Sequence, residues 1–523
     1  MAIADQPMSQ GEPRRVSRRW LLRAGLGAAA GGAVATLLSA CGSGGTATSA
    51  TGGGGGGAGA TATKPAGTTA AATTGAGGAG GAAPGSTVAA QGTPVGTSSS
   101  KPPKNPNATK VQFWHAMGGA LGTAVAALVD QHNDNQSDIY VDAIYQGNYD
   151  DTLNKFKAGL PAKTGPHVIQ TYDIGLRYMI DSKAIEPMQT FIDADKFDTS
   201  SFEQAILNYY TVDKRLYSMP FNTSNPILYY NKKAFQEAGL DPQKAPRTWD
   251  DVAAAAEKLT KKDSAGKPTQ YGIAIAIYGW FFEQWLATQN APYASPDNGR
   301  GATRADKVVY NGDPGVKILD WWKGMIDKGV AQNLGRNTSD TQKAFGAGQI
   351  PMTIDSTASL RGIVNSVGDK FEVGTGYMPR PSASDQGGII MGGASAYILK
   401  DKPDKEKQAA WKFVQWLAQP PQQAFWHINT GYFPVRKDAY DLPNVQENNK
   451  KYPQFKTAVD QLHDTPLTPA TSGAVIGVFP QARQSTEGAI EETILGKSKA
   501  KDALDKSAND VNNALKLYNE SVK

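Results

Sequence analysis

The interpretation of this chain begins with the segment Pro220-Phe221-Asn222-Thr223-Ser224-Asn225-Pro226-Ile227-Leu228-Tyr229-Tyr230-Asn231. Its first half is rich in polar, turn-forming residues, which predicts a loop. Its second half, from Ile227 onward, is apolar and aromatic, which predicts a short strand leaving that loop. We expect a helix from Lys232 to Gly239, with the glycine as C-cap, and another helix after Thr248, a candidate N-cap.

Upstream of this segment, short apolar stretches alternate with amphipathic ones. The predicted strands are 110–115, 139–145 and 167–172, and the predicted helices are 123–132, 150–159 and 176–183. This alternation predicts an α/β fold with a mostly parallel sheet. Ligands of such sheets bind beyond the C-terminal ends of the strands, where this chain has Trp114-His115, Gly147-Asn148-Tyr149 and Tyr172-Asp173.

The downstream half repeats the same alternation of strands and helices. Its predicted strands are 271–277 and 350–354, and its predicted helices are 250–261, 315–328, 341–346, 405–419 and a tail after Asp502. Residues 387–395 hold glycines at both ends of an apolar core. Because glycine allows close approach of backbone and ligand, we expect this segment to be a second crossing between two lobes.

The N-terminal residues 1–41 have the features of an export signal. A twin arginine, Arg14-Arg15, precedes an apolar segment that is too short to span a bilayer. Leu38-Ser39-Ala40-Cys41 resembles a bacterial lipobox, which predicts lipid attachment at Cys41 on the outer face of the cytoplasmic membrane. The twin arginine favours Tat export of the folded protein, with Sec export as the alternative. Cys41 is the only cysteine, so an intramolecular disulfide is impossible.

Residues 42–105 consist almost wholly of Gly, Ala, Thr, Ser and Pro. Such a segment cannot bury enough apolar surface to offset the entropy of ordering it. We therefore predict a disordered tether that gives the folded part several nanometres of reach. A stalk that crosses the cell wall and has no role in binding is the alternative.

The charge pattern excludes several function classes. The chain has 53 Lys and Arg against 48 Asp and Glu, and these charges are interspersed, which argues against a nucleic-acid partner. The five histidines lack metal-ligand spacing, and the nucleotide motif G-x-x-x-x-G-K-[ST] is absent, so we expect neither metal nor cofactor. Capture of a ligand is favoured over catalysis, although a secreted hydrolase with paired carboxylates remains a rival hypothesis.

Seven patches, taken in order, resemble the extracellular solute-binding proteins (family 1) of ABC importers. Within that family they are similar to the sn-glycerol-3-phosphate-binding members that serve Ugp importers. The patches are Phe113-Trp114-His115-Ala116-Met117, Tyr145-Gln146-Gly147-Asn148-Tyr149, Phe221-Asn222-Thr223-Ser224, Tyr229-Tyr230-Asn231-Lys232, 389–395, Thr430-Gly431-Tyr432 and Phe479-Pro480-Gln481-Ala482-Arg483.

The resemblance implies a periplasmic-binding-protein-like fold, with two α/β lobes joined by a hinge that the chain crosses more than once. The implied N-terminal lobe is 106–225 plus about 350–390. The implied C-terminal lobe is 226–349 plus about 391–523.

The resemblance also implies the ligand-binding residues. They are Tyr149, Asp173, Ser224, Ser356, Gly393, Tyr432 and Arg483, to which we add Trp280 as a candidate because of its aromatic ring. We expect the planar guanidinium of Arg483 to hold a phosphate through two parallel hydrogen bonds. Asp173 would accept from glycerol hydroxyls, and Trp280 would cover an apolar face or stack on a cation. The alternatives are helix-capping roles for Asp173 and Ser356, core packing for the aromatic residues, and a solvated arginine.

The implied function is capture of glycerol 3-phosphate, or of a glycerophosphodiester such as glycerophosphocholine, by closure of the lobes. The protein, expected to be a monomer, would then deliver this ligand to the permease subunits of an ABC importer. A sugar- or oligosaccharide-binding protein is the alternative. Asp173 stands where the family usually has Glu, and Ile277 and Tyr278 stand where it can carry a second tryptophan, so the ligand itself stays open.

Overall fold

The computed structural model describes residues 101–522. The predicted export signal, Cys41 and the tether up to residue 100 lie outside the described residues. The last part of the predicted tether is folded: Lys101 forms an ion pair of 2.7 Å with Asp134, and its carbonyl oxygen accepts a hydrogen bond of 3.0 Å from Tyr140. The tether boundary predicted at residue 105 was therefore too late. No helix in this described part combines the length and apolar character that a membrane span requires.

Strands and helices alternate along residues 101–522. The strands are β1 (Thr109–His115), β2 (Ile139–Tyr145), β3 (Val168–Tyr172), β4 (Ile185–Glu186), β5 (Thr211–Val212), β6 (Arg215–Leu216), β7 (Met219–Ser224), β8 (Pro226–Asn231), β9 (Lys261–Lys262), β10 (Pro268–Gln270), β11 (Ile273–Ala274), β12 (Ala294–Ser295), β13 (Lys307–Val308), β14 (Ala331–Gln332), β15 (Met352–Ser356), β16 (Val373–Tyr377) and β17 (Gly392–Leu399).

The α-helices are α1 (Gly119–Asn135), α2 (Tyr149–Gly159), α3 (Leu176–Asp181), α4 (Met188–Asp195), α5 (Gln204–Tyr210), α6 (Lys232–Glu237), α7 (Trp249–Leu259), α8 (Gly279–Thr288), α9 (Asp313–Asp327), α10 (Thr338–Gly346), α11 (Leu360–Val367), α12 (Asp404–Leu417), α13 (Pro420–Thr430), α14 (Pro443–Lys451), α15 (Thr457–His463), α16 (Phe479–Ile494) and α17 (Ala500–Ser521). Short 3-10 turns occupy Asp173–Gly175, Asp297–Gly299, Thr357–Ser359, Lys437–Ala439 and Pro453–Lys456.

Two mixed sheets form the centres of two lobes. The first sheet has the order β2-β1-β3-β17-β4, with β7 also paired to β17, and we call the part built on it the first lobe. The second sheet has the order β14-β11-β15-β8-β16, and it defines the second lobe. Helices α1, α2 and α12 pack on the first sheet, whereas α10 and α15 pack on the second.

The α/β two-lobe class is confirmed, but the sheets are mixed rather than mostly parallel. Strand β1 is parallel to β2 and β3, whereas β17 is antiparallel to β3, β4 and β7. In the second sheet β8 is likewise antiparallel to β15 and β16. The antiparallel pairs all involve β8 or β17, the first strand that the chain forms in each sheet after crossing from the other lobe.

The lobe boundaries inferred for the second half of the chain require correction. Strands β15 and β16, within the segment 350–390, pair in the second sheet, and not in the first as predicted. Strand β17 pairs in the first sheet, and α12 after it packs on β1, although both were predicted in the C-terminal lobe. The chain crosses to the second lobe between β7 and β8 and returns between β16 and β17, so all five strands of the second sheet lie between those two points.

The polar half of the segment at 220–231 is a strand and not the predicted loop. All residues of Met219–Ser224 are buried, and they pair with β17. Thr223 donates to the carbonyl oxygen of Phe433 at 2.9 Å, so its hydroxyl is satisfied inside the protein. Contacts with residues distant in the sequence therefore allow a segment of turn-forming residues to form a buried strand.

The predicted strand 271–277 is also shorter than expected. Only Ile273–Ala274 pairs in the sheet, and after a short buried connection the chain forms α8, whose ten residues are all buried. Short apolar runs carry no periodicity that distinguishes a buried strand from a buried helix, which explains the error.

Candidate functional site

A cavity of about 350 Å³ lies between the lobes, within the size range of small-molecule sites. All eight residues predicted from the sequence line it. The first lobe contributes residues from the start of α2, the end of β3, the end of β7 and the start of β17. The second lobe and the chain after α13 contribute the others. The eight are Tyr149, Asp173, Ser224, Trp280, Ser356, Gly393, Tyr432 and Arg483.

Tyr149 is held rigidly at the start of α2. Asn148 caps this helix and forms a capping box with Asp151, which fixes where the helix begins. The Tyr149 ring stacks on Tyr172, with ring centres 5.3 Å apart and planes at 13°. Its hydroxyl oxygen accepts a hydrogen bond of 2.9 Å from the side-chain amide of Asn222.

The phenols of Tyr149 and Tyr432 stay neutral. Burial raises the pKa of Tyr149 well above its ordinary value, and burial likewise raises the pKa of Tyr432. A neutral phenol donates one hydrogen bond and accepts others. These two side chains can therefore donate to an anionic oxygen without contributing a charge.

Arg483 lines the cavity, but its guanidinium is already engaged. Its Nε and Nη2 atoms each donate to a carboxylate oxygen of Glu283 at 2.7 Å. We expected Arg483 to donate two parallel hydrogen bonds to a phosphate, but it donates them to Glu283 instead. The Nη1 atom lies 3.4 Å from the Tyr278 hydroxyl, and Asp173 lies 3.8 Å from Nη2.

A carboxyl group, that of Asp173, and the guanidinium of Arg483 therefore line the cavity together, while Glu283, which pairs with Arg483, is not part of the lining. The pKa of Asp173 is raised to about 6, chiefly by burial. Within this result the charge of Arg483 acts to lower the pKa and that of Glu283 acts to raise it. Asp173 is 5% exposed, and it begins the 3-10 turn that leads into α3. This arrangement provides acceptors for hydroxyl groups or for a cation beside the donors of the tyrosines.

The two serines and Gly393 complete the wall. The Ser356 oxygen accepts a hydrogen bond of 3.1 Å from the Ala358 backbone, so it caps the following turn as well as lining the cavity. Ser224 ends β7 and is 3% exposed. Gly393 has φ +105°, and a Cβ atom there would lie 2.0 Å from the Asn222 carbonyl oxygen. Only glycine fits this close strand crossing.

Trp280 lies on α8 and is 4% exposed. A Cβ atom at Gly392 would lie 2.4 Å from its ring, so the glycine makes room for the indole. The indole N–H has no hydrogen-bond partner among residues 101–522. A buried donor without a partner that lines a cavity is suited to a ligand oxygen.

Sequence reasoning missed several residues that line the cavity or hold its walls. The most important is Glu283, which lies three residues after Trp280 on α8 and so on the same face of the helix. That spacing would have drawn attention to Glu283 had a helix been predicted there. Other lining residues not predicted are Tyr278, Thr338, Gln342, Asp355, Ser359, Arg361 and Asn429.

His115, the last residue of β1, does not line the cavity, although its place at the C-terminal end of a strand had suggested that it would. Its side chain is fully buried, and burial lowers its pKa to about 4. Gly118 and Gly119, just beyond it, line the cavity instead. No group of three or more metal-ligating side chains occurs within residues 101–522.

Two α/β lobes joined by chain crossings, with a cavity between them that polar and aromatic side chains line, define a solute-binding protein of the periplasmic-receptor class. The sequence profile of the bacterial extracellular solute-binding protein family matches residues 127–457. The chain belongs to this family, whose members bind small molecules outside the cytoplasm and deliver them to ABC permeases.

Known proteins resemble this chain over most of its length. The sn-glycerol-3-phosphate-binding periplasmic protein UgpB of Escherichia coli (strain K12) is 36% identical over 422 residues, which are 79% of this chain and 94% of that protein. The cyclic alpha-maltosyl-1,6-maltose binding protein from Arthrobacter globiformis has 26% identity and a TM-score of 0.63, covering 78% of this chain and 99% of that one. UgpB from Mycobacterium tuberculosis in complex with glycerophosphocholine has a TM-score of 0.65 at 21% identity, covering 79% and 99%.

Proposed function

We propose that this protein captures glycerol 3-phosphate or a glycerophosphodiester such as glycerophosphocholine between its lobes. The observation that carries the proposal is the convergence of all eight predicted residues, seven of them implied by the family resemblance, on one cavity. The 36% identity to an sn-glycerol-3-phosphate-binding protein over most of both chains supports it further.

The chemistry of the cavity supports a ligand with a phosphate and a hydroxyl-rich or cationic part. Tyr149, Tyr432 and the Trp280 indole supply neutral donors for phosphate oxygens. Asp173, which lines the cavity, favours hydroxyl groups or a quaternary ammonium over a second negative charge, since like charges repel in a buried site. A glycerophosphodiester, with one negative charge on its phosphate, suits this balance better than a doubly charged monoester.

The captured ligand would pass to the permease subunits of an ABC importer when the lobes close. We further propose that Cys41 carries a lipid that holds this extracytoplasmic, monomeric receptor at the membrane, after Tat export. Residues 1–41 support this only through their sequence. Detergent-phase partitioning of the wild-type chain, and release of a Cys41→Ala variant into the medium, would test the anchor.

Calorimetric titration of the purified chain tests the ligand. We expect saturable binding of glycerophosphocholine and glycerol 3-phosphate, with the diester bound more tightly. Tyr432→Phe should weaken binding by about tenfold, because one hydrogen bond to a charged group is lost. Tyr440→Phe is the matched control, since its hydroxyl donates to the Pro434 carbonyl oxygen and does not line the cavity.

A sugar remains the second candidate ligand, because the structural relatives include a maltose-type binding protein. The engagement of Arg483 by Glu283 is compatible with a neutral ligand. Binding of maltose or trehalose, without binding of either glycerophosphate, would overturn the proposed ligand and favour the sugar.

A further inference from the structure

A chain of three hydrogen bonds, two of them buried and the last part-buried, leads to the Tyr149 hydroxyl. The backbone N–H of Ala116 donates to Oε1 of Gln170 at 2.9 Å. Nε2 of Gln170 donates to Oδ1 of Asn222 at 2.7 Å, and Nδ2 of Asn222 donates to the Tyr149 hydroxyl at 2.9 Å. Gln170 and Asn222 are both fully buried, and they lie on β3 and β7, the two strands that flank β17.

The direction of this chain is fixed at its first member. A backbone N–H can only donate, so the atom of Gln170 that faces Ala116 must be its oxygen. The Gln170 amide nitrogen must then face Asn222, and the Asn222 amide nitrogen must in turn face Tyr149. Each side-chain amide therefore has one permitted orientation, although amide nitrogen and oxygen are hard to distinguish by shape alone.

The direction of these hydrogen bonds affects where the hydroxyl protons of Tyr149 and Tyr432 can be donated. Tyr149 receives a hydrogen bond from Asn222, and both side chains also interact with the neighbouring phenol of Tyr432. The two phenols can share at most one hydrogen bond with each other. Oδ1 of Asn222 already accepts from Gln170, so at least one of the two phenol protons is available to the cavity.

We propose that Gln170 and Asn222 are positioning residues that commit the Tyr149–Tyr432 pair to donating hydrogen bonds to the ligand. The pair then favours a group that only accepts, such as a phosphate or phosphodiester oxygen. This inference rests on the proposed function for the identity of the ligand. The hydrogen-bond direction behind it does not depend on the ligand.

Two isosteric variants should reverse the direction of the hydrogen bond between residue 222 and the Tyr149 hydroxyl. In Asn222→Asp, a carboxylate oxygen faces Tyr149 and takes its proton away from the cavity. In Gln170→Glu, the new carboxylate oxygen faces Asn222, so the Asn222 amide turns over and presents its oxygen to Tyr149. Gln170→Glu acts without touching the phenol, which a purely local packing effect could not reproduce.

The test is a double-mutant cycle with glycerophosphocholine as the calorimetric probe. Each variant should weaken binding by about tenfold in the wild-type background. The loss should be clearly smaller in the Tyr149→Phe background, because one of the phenols that the variants redirect is missing. Equal losses in both backgrounds, from a wild-type protein that binds the probe, would overturn the inference. Absence of binding by the wild type would instead overturn the proposed function.

A second cycle works without ligand. Thermal unfolding should show that Asn222→Asp lowers the melting temperature more in the Tyr149→Phe background, where the carboxylate has lost the phenol that would donate to it. Additive effects of Asn222→Asp and Tyr149→Phe would show that Tyr149 does not reverse its hydrogen bond, and would overturn the inference whatever the ligand is.

Discussion

Arg483 and Glu283 form a buried ion pair at the wall of the cavity, with 4% and 3% of each residue exposed. Burial raises the pKa of Glu283 and Arg483 lowers it, whereas Glu283 holds the pKa of Arg483 well above its ordinary value in spite of burial. Removing two charges from water is costly, and only close geometry offsets that cost. The pair is best understood as holding α8 and α16 together while one edge of the guanidinium remains for the cavity.

Substitution of Glu283 by Gln should strongly destabilise the fold. The change leaves Arg483 buried with only the more distant Asp173 as a carboxylate partner. We expect a fall in the free energy of unfolding of about 3 kcal/mol, the lower end for breaking a buried pair. Chemical denaturation monitored by tryptophan fluorescence measures it.

Glu491→Gln provides the matched control. Glu491 pairs with Arg336 at 2.5 Å, but their side chains are 42% and 35% exposed. A pair of this kind contributes no more than about 1 kcal/mol. If Glu283→Gln and Glu491→Gln destabilised the protein equally, the buried Glu283–Arg483 pair would contribute no more to stability than an exposed ion pair.

The pairing of β17 with β7 in the first lobe requires a glycine at position 393. Strand β17 pairs with β7 in a register that shifts between Ala394 and Ser395, and Gly393 lies opposite Thr223. The positive φ of Gly393 and the nearby carbonyl oxygen of Asn222 together exclude a larger residue. The same strand pairing holds Ser224 at the cavity and Asn222 against the Tyr149 hydroxyl.

Gly393→Ala should therefore impair both stability and binding. The added methyl group would meet the Asn222 carbonyl oxygen, so the strands must separate. We expect a loss of stability of about 2 kcal/mol or more, because strain at a special backbone conformation adds to the steric clash. Thermal unfolding and calorimetry of the same sample measure the two effects.

Gly324→Ala is the control for this substitution. Gly324 lies inside α9, and a Cβ atom there would meet nothing within 4 Å. Alanine favours a helix over glycine, so this variant should be neutral or more stable by up to about 1 kcal/mol. A Gly393→Ala protein as stable as Gly324→Ala would contradict the role assigned to the crossing.

Some elements could be predicted from the sequence nearly to the residue, and others could not. Strand β2 was predicted at its observed bounds of 139–145, because its alternation is regular and turns flank it. Strand β7 was predicted as a loop, because burial of its polar residues depends on partners far away in the sequence. Local pattern decides the first case and tertiary contact the second.

Contacts between the lobes also occur away from the cavity. Asp181 ends α3 in the first lobe, and it accepts hydrogen bonds of 2.6 and 2.7 Å from Arg304 and one of 2.9 Å from Tyr518. Tyr518 lies on α17 and Arg304 just before β13, which packs on α17. Helix α17 also packs on α9, which contacts β14 of the second sheet, so both residues belong to the second lobe. Arg177 also donates to Asp181 at 3.0 and 2.7 Å. We call these four residues the interlobe ion cluster.

Asp181→Asn should shift the molecule toward a more open form. The variant removes the charge that attracts both arginines, so contacts across the lobes weaken while the cavity residues are unchanged. We expect a larger radius of gyration in small-angle X-ray scattering without ligand, and weaker ligand binding, because closure then costs more free energy.

Asp438→Asn is the control for the ion cluster. Asp438 accepts hydrogen bonds of 3.0 and 2.6 Å from Arg436, two residues away, so this pair does not connect the lobes. The variant should leave the radius of gyration unchanged. An equal change in both variants would mean that the interlobe ion cluster does not bias closure.

The sequence by itself determined the α/β class, most helices, the membership in a family of solute receptors and the eight residues that meet at the cavity. Their role in binding stays a prediction. Only the tertiary structure decided which lobe owns β15, β16 and β17, and that Glu283 engages Arg483. The reason is physical: periodicity reports which face of an element is buried, whereas strand pairing and ion pairing join residues up to hundreds of positions apart, and no local pattern encodes them.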